Sequence, residues 1–274
     1  MPGRIVSCFK WCPLGYMSIL DLLRQDLEVR VFHPTQYLSA SHEVFGITLI
    51  ITWALTLAFH PEQIFDHPAR PIIGSFNPCF GWDYPPASYI ALTFCSVNVY
   101  LTWRYAWLEL TRTELSTQSG TLSLAQQFAS VSAVVLALAS NCWLLLWVVG
   151  PEDGNWWGHT ALFVFYAAGS YLTCLGNFLE VRFSSRAHVI ERQHKIFIGC
   201  YTFAVVFLPF CYATNLALYK EGQPPALPPW VTQASDVVWL GCVMFITSFT
   251  PPDVPLRQTM ELATERDVEA QRML

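Results

Sequence analysis

Residues 128–149 read FASVSAVVLALASNCWLLLWVV and contain no charged side chain. A helix that crosses a bilayer needs about 20 mainly apolar residues, so this run is long enough to cross one. Five more mainly apolar runs of comparable length lie at residues 43–60, 87–109, 158–180, 197–219 and 230–249. The pattern predicts an all-α membrane protein that is a bundle of six transmembrane helices.

The composition agrees with a chain that has little contact with water. Hydrophobic residues make up 53% of its 274 residues and charged residues only 13%, whereas about 25% of a typical soluble domain is charged. The formal net charge of −5 gives no basic surface for nucleic acid. We therefore expect membrane lipids as partners, with other membrane proteins as a second class of partner, and no nucleic acid.

The basic residues indicate how the bundle is oriented. If the N-terminus is cytoplasmic, every Lys and Arg except Arg70 and Lys220 falls in a segment on the cytoplasmic side. Such a bias is typical of cytoplasmic segments in membrane proteins. An even number of spans then places the C-terminus in the cytoplasm as well.

The chain divides into three parts. Residues 1–42 are predicted to be a cytoplasmic segment, residues 43–250 the six-span domain, and residues 251–274 a cytoplasmic tail. Within the first segment, residues 16–32 place several apolar side chains near one helical face, which favours a short helix lying on the membrane surface.

Four polar residues near the lumenal ends of four predicted spans form a candidate cluster. Intramembrane polar groups need partners and often mark functional sites. Two interpretations are open. The groups either hydrogen-bond to one another and fix helix packing, at about 0.6 kcal/mol for each bond, or line a lumenal cavity that holds a lipid head group or transfers protons. The four residues are Asn141, His159, Asn215 and Asp236.

A second set of polar residues falls near the cytoplasmic ends of the spans. We expect these side chains to extend towards the membrane surface by snorkelling. They are Arg104, Glu109, Asn177, Glu180 and Arg182. The loop between spans four and five is strongly basic, which suits contact with anionic lipid, although the topology bias explains this loop equally well. Its candidate lipid contacts are Arg182, Arg186, Arg192 and Lys195.

Several classes of site are not indicated. There is no glycine-rich phosphate loop, no His-Glu-x-x-His and no Gly-x-Ser-x-Gly motif. None of the seven histidines lies in the middle of a predicted span, so we expect no haem. The group His60, Glu62, Asp66 and His67 has no spacing typical of a metal site. We expect no metal and no cofactor, catalytic residues stay unknown, and an enzyme is the less favoured class.

The loops carry a recognisable series of motifs. Residues 71–74 read Pro-Ile-Ile-Gly, Gly81 follows, and residues 85–88 read Pro-Pro-Ala-Ser at the entry to span two. Residues 102–105, Thr-Trp-Arg-Tyr, close that span. Together with Asn141, His159 and Asp236, this ordered series resembles the DRAM (damage-regulated autophagy modulator) family over roughly residues 43–262. Gly74, Ala87 and Asp236 depart from the residues that the family carries at these positions.

The resemblance implies a six-span endomembrane protein without established catalytic residues. The expected function is modulation of autophagy or membrane lipid homeostasis, through binding of lipid or protein, in lysosomal or Golgi membranes. The same superfamily includes a Golgi factor for lipid remodelling of GPI anchors. A remodelling factor that uses the lumenal polar cluster is therefore an alternative, and an accessory subunit of a large membrane complex is another.

Overall fold

A computed structural model of the chain describes residues 34–67, 69–147 and 156–251. All regular secondary structure in these ranges is helical. The helix predicted at residues 16–32 and the tail from residue 252 lie outside the described residues. The helices are α1 (Pro34–Phe59), α2 (Glu62–Phe65), α3 (Arg70–Ile73), α4 (Ala87–Gln118), α5 (Leu124–Trp143), α6 (Trp156–Arg182), α7 (Arg192–Ala217) and α8 (Pro229–Phe249).

Each apolar run predicted from the sequence falls on one of the six long helices. In the described part of the chain, α1, α5, α6, α7 and α8 are long and apolar enough to cross a membrane. This confirms the pattern of an α-helical integral membrane protein. Helix α1 begins at Pro34 rather than near residue 43, because its polar first turns are buried against the bundle.

Helix α4 is not among these five helices, and the residues on its buried and exposed faces explain why. Its buried stripe includes polar residues such as Asn98, Thr102 and Arg112 beside small and apolar ones, while its exposed face carries large side chains such as Tyr100 and Trp107. A soluble helix shows the opposite distribution. The exposed apolar face suits contact with lipid, and the inward polar stripe lowers the overall hydrophobicity of the helix.

The six long helices form a closed ring in chain order. Each packs against the next one along the chain, and α8 packs against α1 to close the ring. Residues 60–86, which link α1 to α4, cover one end of the bundle, and we call this end the loop side. The other end, where α1 begins and α6 and α8 end, is the tail side.

Aromatic side chains fill the ring interior towards the loop side. The Phe45 ring lies 5.3 Å from that of Trp143 and 6.4 Å from that of Trp239, centroid to centroid. Trp143 in turn stacks on Tyr166 with centroids 3.8 Å apart. These buried rings fill the centre of the bundle at this level.

Candidate functional site

The segment 60–86 is fixed to the bundle by hydrogen bonds from helix side chains to its backbone. From α1, Trp53 Nε1 donates to the carbonyl of Pro78 at 2.8 Å and Thr56 Oγ1 donates to that of Gly81 at 2.6 Å. Trp53 also passes close to Gly81, where a Cβ atom would lie 2.2 Å from Trp53 Cδ1. The glycine therefore permits the approach that docks the loop.

Asp236 of α8 joins the same loop to two helices. Ser75 Oγ donates to Asp236 Oδ2 at 2.7 Å, and the Tyr212 hydroxyl of α7 donates to Oδ1. Asn77 Nδ2 then donates to the Tyr212 oxygen at 2.7 Å. Asp236 is only 2% exposed, so this buried carboxylate has a donor on each oxygen. We call this set of hydrogen bonds the Asp236 clamp, because it holds the loop, α7 and α8 together.

Asn215 forms a second clamp next to the first. Its Nδ2 donates to the carbonyl of Ile73 at 2.7 Å and to Thr232 Oγ1 at 3.2 Å. Its Oδ1 accepts from the backbone N–H of Leu227 at 2.8 Å. One side chain thus ties the segment before Ser75 to α8 and to the α7–α8 connection.

The structure brings together two of the four residues of the predicted lumenal cluster. Asp236 and Asn215 hold the same loop, as described. Asn141 is half-buried and its Nδ2 donates to the carbonyl of Ala137 in its own helix at 3.3 Å. His159 lies in the first turns of α6, but its side chain is outside the described residues. Three further residues complete the cluster: Ser75 and Asn77 from the loop, and Tyr212 from α7. No pattern in the sequence marks them as partners of Asp236.

A cavity of about 640 Å³ opens on the loop side, between the loop and the start of α8. Pockets that bind small molecules usually measure about 300–1,000 Å³ and are mostly apolar with a few polar groups. Ser75 links this cavity to the Asp236 clamp beneath it. The residues that line it are Phe65, Asp66, His67, Arg70, Pro71, Gly74, Ser75, Phe76, Pro225, Pro229, Trp230 and Gln233.

The cavity wall combines aromatic surface with one guanidinium group. Arg70 lies over the Phe76 ring at 4.2 Å from its centroid and donates to the carbonyl of Phe65. Trp230, in the first turn of α8, is 72% exposed, and tryptophan at such a position is typical of the membrane–water interface. An amphipathic molecule with an apolar body and an anionic or polar head matches this wall.

The titratable groups beside the cavity serve the loop itself. The His67 ring stacks on Phe80 with centroids 3.8 Å apart, and its Nε2 lies 3.4 Å from Asp83 Oδ2. Burial, reinforced by the negative charge of Asp83, raises the pKa of the Cys79 thiol well above its usual value. The thiol therefore stays protonated and is a poor nucleophile. No group of metal-ligating side chains suited to an ion occurs among the described residues.

A second polar cluster lies at the tail side, and it corrects one expectation. Arg112 of α4 donates to Glu109 Oε2 at 2.5 Å from Nη2, and to both carboxylate oxygens of Glu180 on α6. Glu109 and Asn177 are buried, so they do not extend to the membrane surface as predicted. The prediction was wrong because Arg112 and the α4–α6 contact give these groups partners inside the bundle.

A third polar contact was missed because the sequence places His42 before the first span. In the structure His42 lies within α1, where its Nδ1 contacts the carbonyl of Leu38 at 2.8 Å. Because a carbonyl only accepts, Nδ1 carries the hydrogen and Nε2 accepts from Ser170 Oγ of α6 at 2.9 Å. The Tyr201 hydroxyl of α7 donates to Ser170 at 3.1 Å. This chain of bonds connects three helices in the interior.

No protein-family model matches the chain, and comparisons with curated proteins and with solved structures gave no match either. The functional interpretation therefore depends on the residues of the site, together with the ordered motifs in the loops.

Proposed function

We propose that this chain is a non-enzymatic, six-span endomembrane protein of the DRAM type that modulates autophagy or membrane lipid homeostasis. It acts in lysosomal or Golgi membranes by binding a lipid in the loop-side cavity. The observation that supports the proposal is this cavity of about 640 Å³, with aromatic walls and Arg70 beside them. One of the loop motifs that resemble the family reaches the same cavity, since Pro71 belongs to its wall.

Binding is favoured over catalysis by the way the polar groups are used. Ser75 is the one hydroxyl side chain among the described residues that line the cavity, and it donates to Asp236. His67 is stacked on Phe80 and lies beside Asp83. A serine nucleophile needs a base that is placed to take its proton. The Asp236 carboxylate is within reach of Ser75, but it also accepts from Tyr212 and holds the loop to α7 and α8, so we assign this hydrogen bond to loop packing. A GPI-anchor remodelling enzyme is thus the less favoured alternative.

The proposal of six crossings includes α4, for which the exposed apolar face is the supporting observation. We expect an epitope at the N-terminus and one inserted after Gly120 to be reached by antibody when only the plasma membrane is permeabilised. An epitope after Gly222 should be reached only after the internal membranes are dissolved. If α4 does not cross, the N-terminal epitope and the epitope at Gly120 will lie on opposite sides of the membrane.

Lipid binding in the loop-side cavity is tested by replacing its aromatic rim. We expect Trp230→Ala to reduce photocrosslinking of a bifunctional, photoactivatable phospholipid about tenfold, because a large apolar contact is lost. Crosslinked peptides in the unaltered protein should come from residues 65–76 and 225–233. The measurement is mass spectrometry of the full chain labelled in cell membranes.

The matched control is Trp107→Ala, since Trp107 is similarly exposed but lies on the outer face of α4. Its crosslinking should stay close to that of the unaltered chain. Equal losses in both variants would show that the lipid only surrounds the bundle, which contradicts a bound site. A strictly mitochondrial location of the tagged protein would contradict the endomembrane part of the proposal.

A further inference from the structure

A separate cavity lies at the tail side, between the end of α6, the loop that follows it and the buried face of α4. It measures about 30 Å³ and is lined by polar residues that include Arg112, Asn177, Glu180, Ser184 and Arg186. This volume is that of one or a few water molecules. It accommodates the oxygens of a small group that enters from the membrane surface, while the remainder of a larger molecule stays outside.

Two hydrogen-bond donors in this wall are buried without an acceptor. Asn177 is 5% exposed, and its Oδ1 accepts from the Tyr105 hydroxyl at 3.1 Å, but its Nδ2 has no partner. Arg186 Nη1 is likewise buried and without an acceptor. Buried donors normally have partners, because leaving one without an acceptor is unfavourable. The missing complement is a group that accepts hydrogen bonds.

Glu180 in the cavity wall and Glu109, which lies next to the wall, are both paired with Arg112. Glu180 is held by both terminal nitrogens of Arg112, and Glu109 Oε2 accepts from Arg112 Nε and Nη2 at 3.2 and 2.5 Å. The two carboxylates and the two guanidinium groups of Arg112 and Arg186 balance in charge. An anion that enters the cavity therefore meets two donors without acceptors, Asn177 Nδ2 and Arg186 Nη1, and carboxylates whose charge is already balanced.

Basic residues flank the lining residues of this cavity along the chain. They are Arg182, Arg192 and Lys195, and all three are exposed. Glu191 is the one acidic residue between positions 182 and 195, and it accepts hydrogen bonds at the start of α7 and from Gln193. Basic clusters next to membrane helices attract anionic lipid head groups. These basic residues therefore attract anionic groups, whose oxygens are the acceptors that Asn177 Nδ2 and Arg186 Nη1 lack.

We infer that the tail-side cavity binds a phosphate group, with Asn177 Nδ2 and the Arg186 guanidinium as its donors. The phosphate belongs to an anionic phospholipid or to a soluble phosphate ester. Guanidinium groups suit phosphate because their planar set of donors matches its oxygens. This site is independent of the loop-side cavity and lies at the opposite end of the bundle.

The experiment uses the full chain in nanodiscs of phosphatidylcholine, with and without phosphatidic acid, and measures the thermal unfolding midpoint and the phosphatidic acid bound per protein. We expect phosphatidic acid to raise the midpoint of the unaltered chain. Arg186→Gln should bind phosphatidic acid about tenfold more weakly, because a charge-assisted donor is lost. Lys220→Gln, which removes an exposed charge on the loop side, at the opposite end of the bundle, should change binding less than about twofold.

The source of the phosphate is distinguished by adding inorganic phosphate or glycerol 3-phosphate to phosphatidylcholine nanodiscs. Stabilisation by these soluble compounds, lost in Arg186→Gln, identifies a soluble ligand, while stabilisation by phosphatidic acid alone identifies a lipid. Arg186→Lys, which keeps the charge but not the planar donor set, is expected to give an intermediate loss. Equal losses in Lys220→Gln and Arg186→Gln, or no response to any phosphate compound, would overturn the inference and leave the loop-side proposal unaffected.

Discussion

Replacing Arg112 with methionine is expected to destabilise the bundle by about 3–5 kcal/mol, the range found when one partner of a buried ion pair is removed. Arg112 is 3% exposed and forms ion pairs with Glu109 on its own helix and with Glu180 on α6. Methionine fills a similar volume but leaves two carboxylates without a counter-charge inside the protein. The measurement is thermal or detergent-induced unfolding of the purified full chain.

The control for this loss is Arg182→Met. It removes an exposed arginine at the end of α6, the helix that carries Glu180. It should change stability by no more than about 1 kcal/mol, as exposed charges do. A triple variant that also carries Glu109→Gln and Glu180→Gln should recover part of the loss, because no buried charge is then left unpaired. If Arg112→Met were as stable as Arg182→Met, the ion-pair cluster would not hold α4 to α6.

The second large effect is expected at the contact between α5 and α6. A Cβ atom on Gly176 would lie 2.8 Å from Ala129 Cα, which is backbone and cannot rotate away. Small residues let membrane helices approach closely, so Gly176→Leu must push the two helices apart. We expect a loss of about 3 kcal/mol or more, the upper part of the range for overpacked cores, measured by unfolding in detergent.

Gly199→Leu is the matched control, because no atom lies within 4 Å of the position where its Cβ would stand. Both glycines are inside long helices, so leucine raises helix propensity equally at the two sites. The difference in stability between the variants then measures the α5–α6 contact alone. Equal stability of the two variants is the result that contradicts this packing.

The position of each long helix was predictable because its signal is local. About 20 apolar residues bounded by prolines, glycines or charges indicate a membrane helix wherever the rest of the chain lies. The first boundary was the least accurate, since residues 34–42 are mixed in polarity and are buried in the bundle as part of α1, where His42 bonds to Ser170 of α6. Helix α4 was recognised as an apolar run, but its polar stripe was not assigned to an interior face.

The candidate site was only partly predictable. Asp236 and Asn215 stand out as polar residues in apolar runs, and the structure gives both a role in holding the loop. Their partner Ser75 lies 161 positions before Asp236 in the chain, and no periodicity relates residues so far apart. Arg112 was predicted only as one of many cytoplasmic cations, because its second carboxylate comes from a helix that is 68 positions away.

Local hydrophobicity is enough to identify this chain as an α-helical membrane protein and to locate its long helices, because burial in lipid acts on each segment separately. The pairing of its polar residues depends on the folded bundle, which brings Asp236 to the loop, Arg112 to Glu180, and His42 to Ser170. A polar group in an apolar helix must find a partner. Which partner it finds depends on the order of the helices in the ring and on how the loop folds back over them.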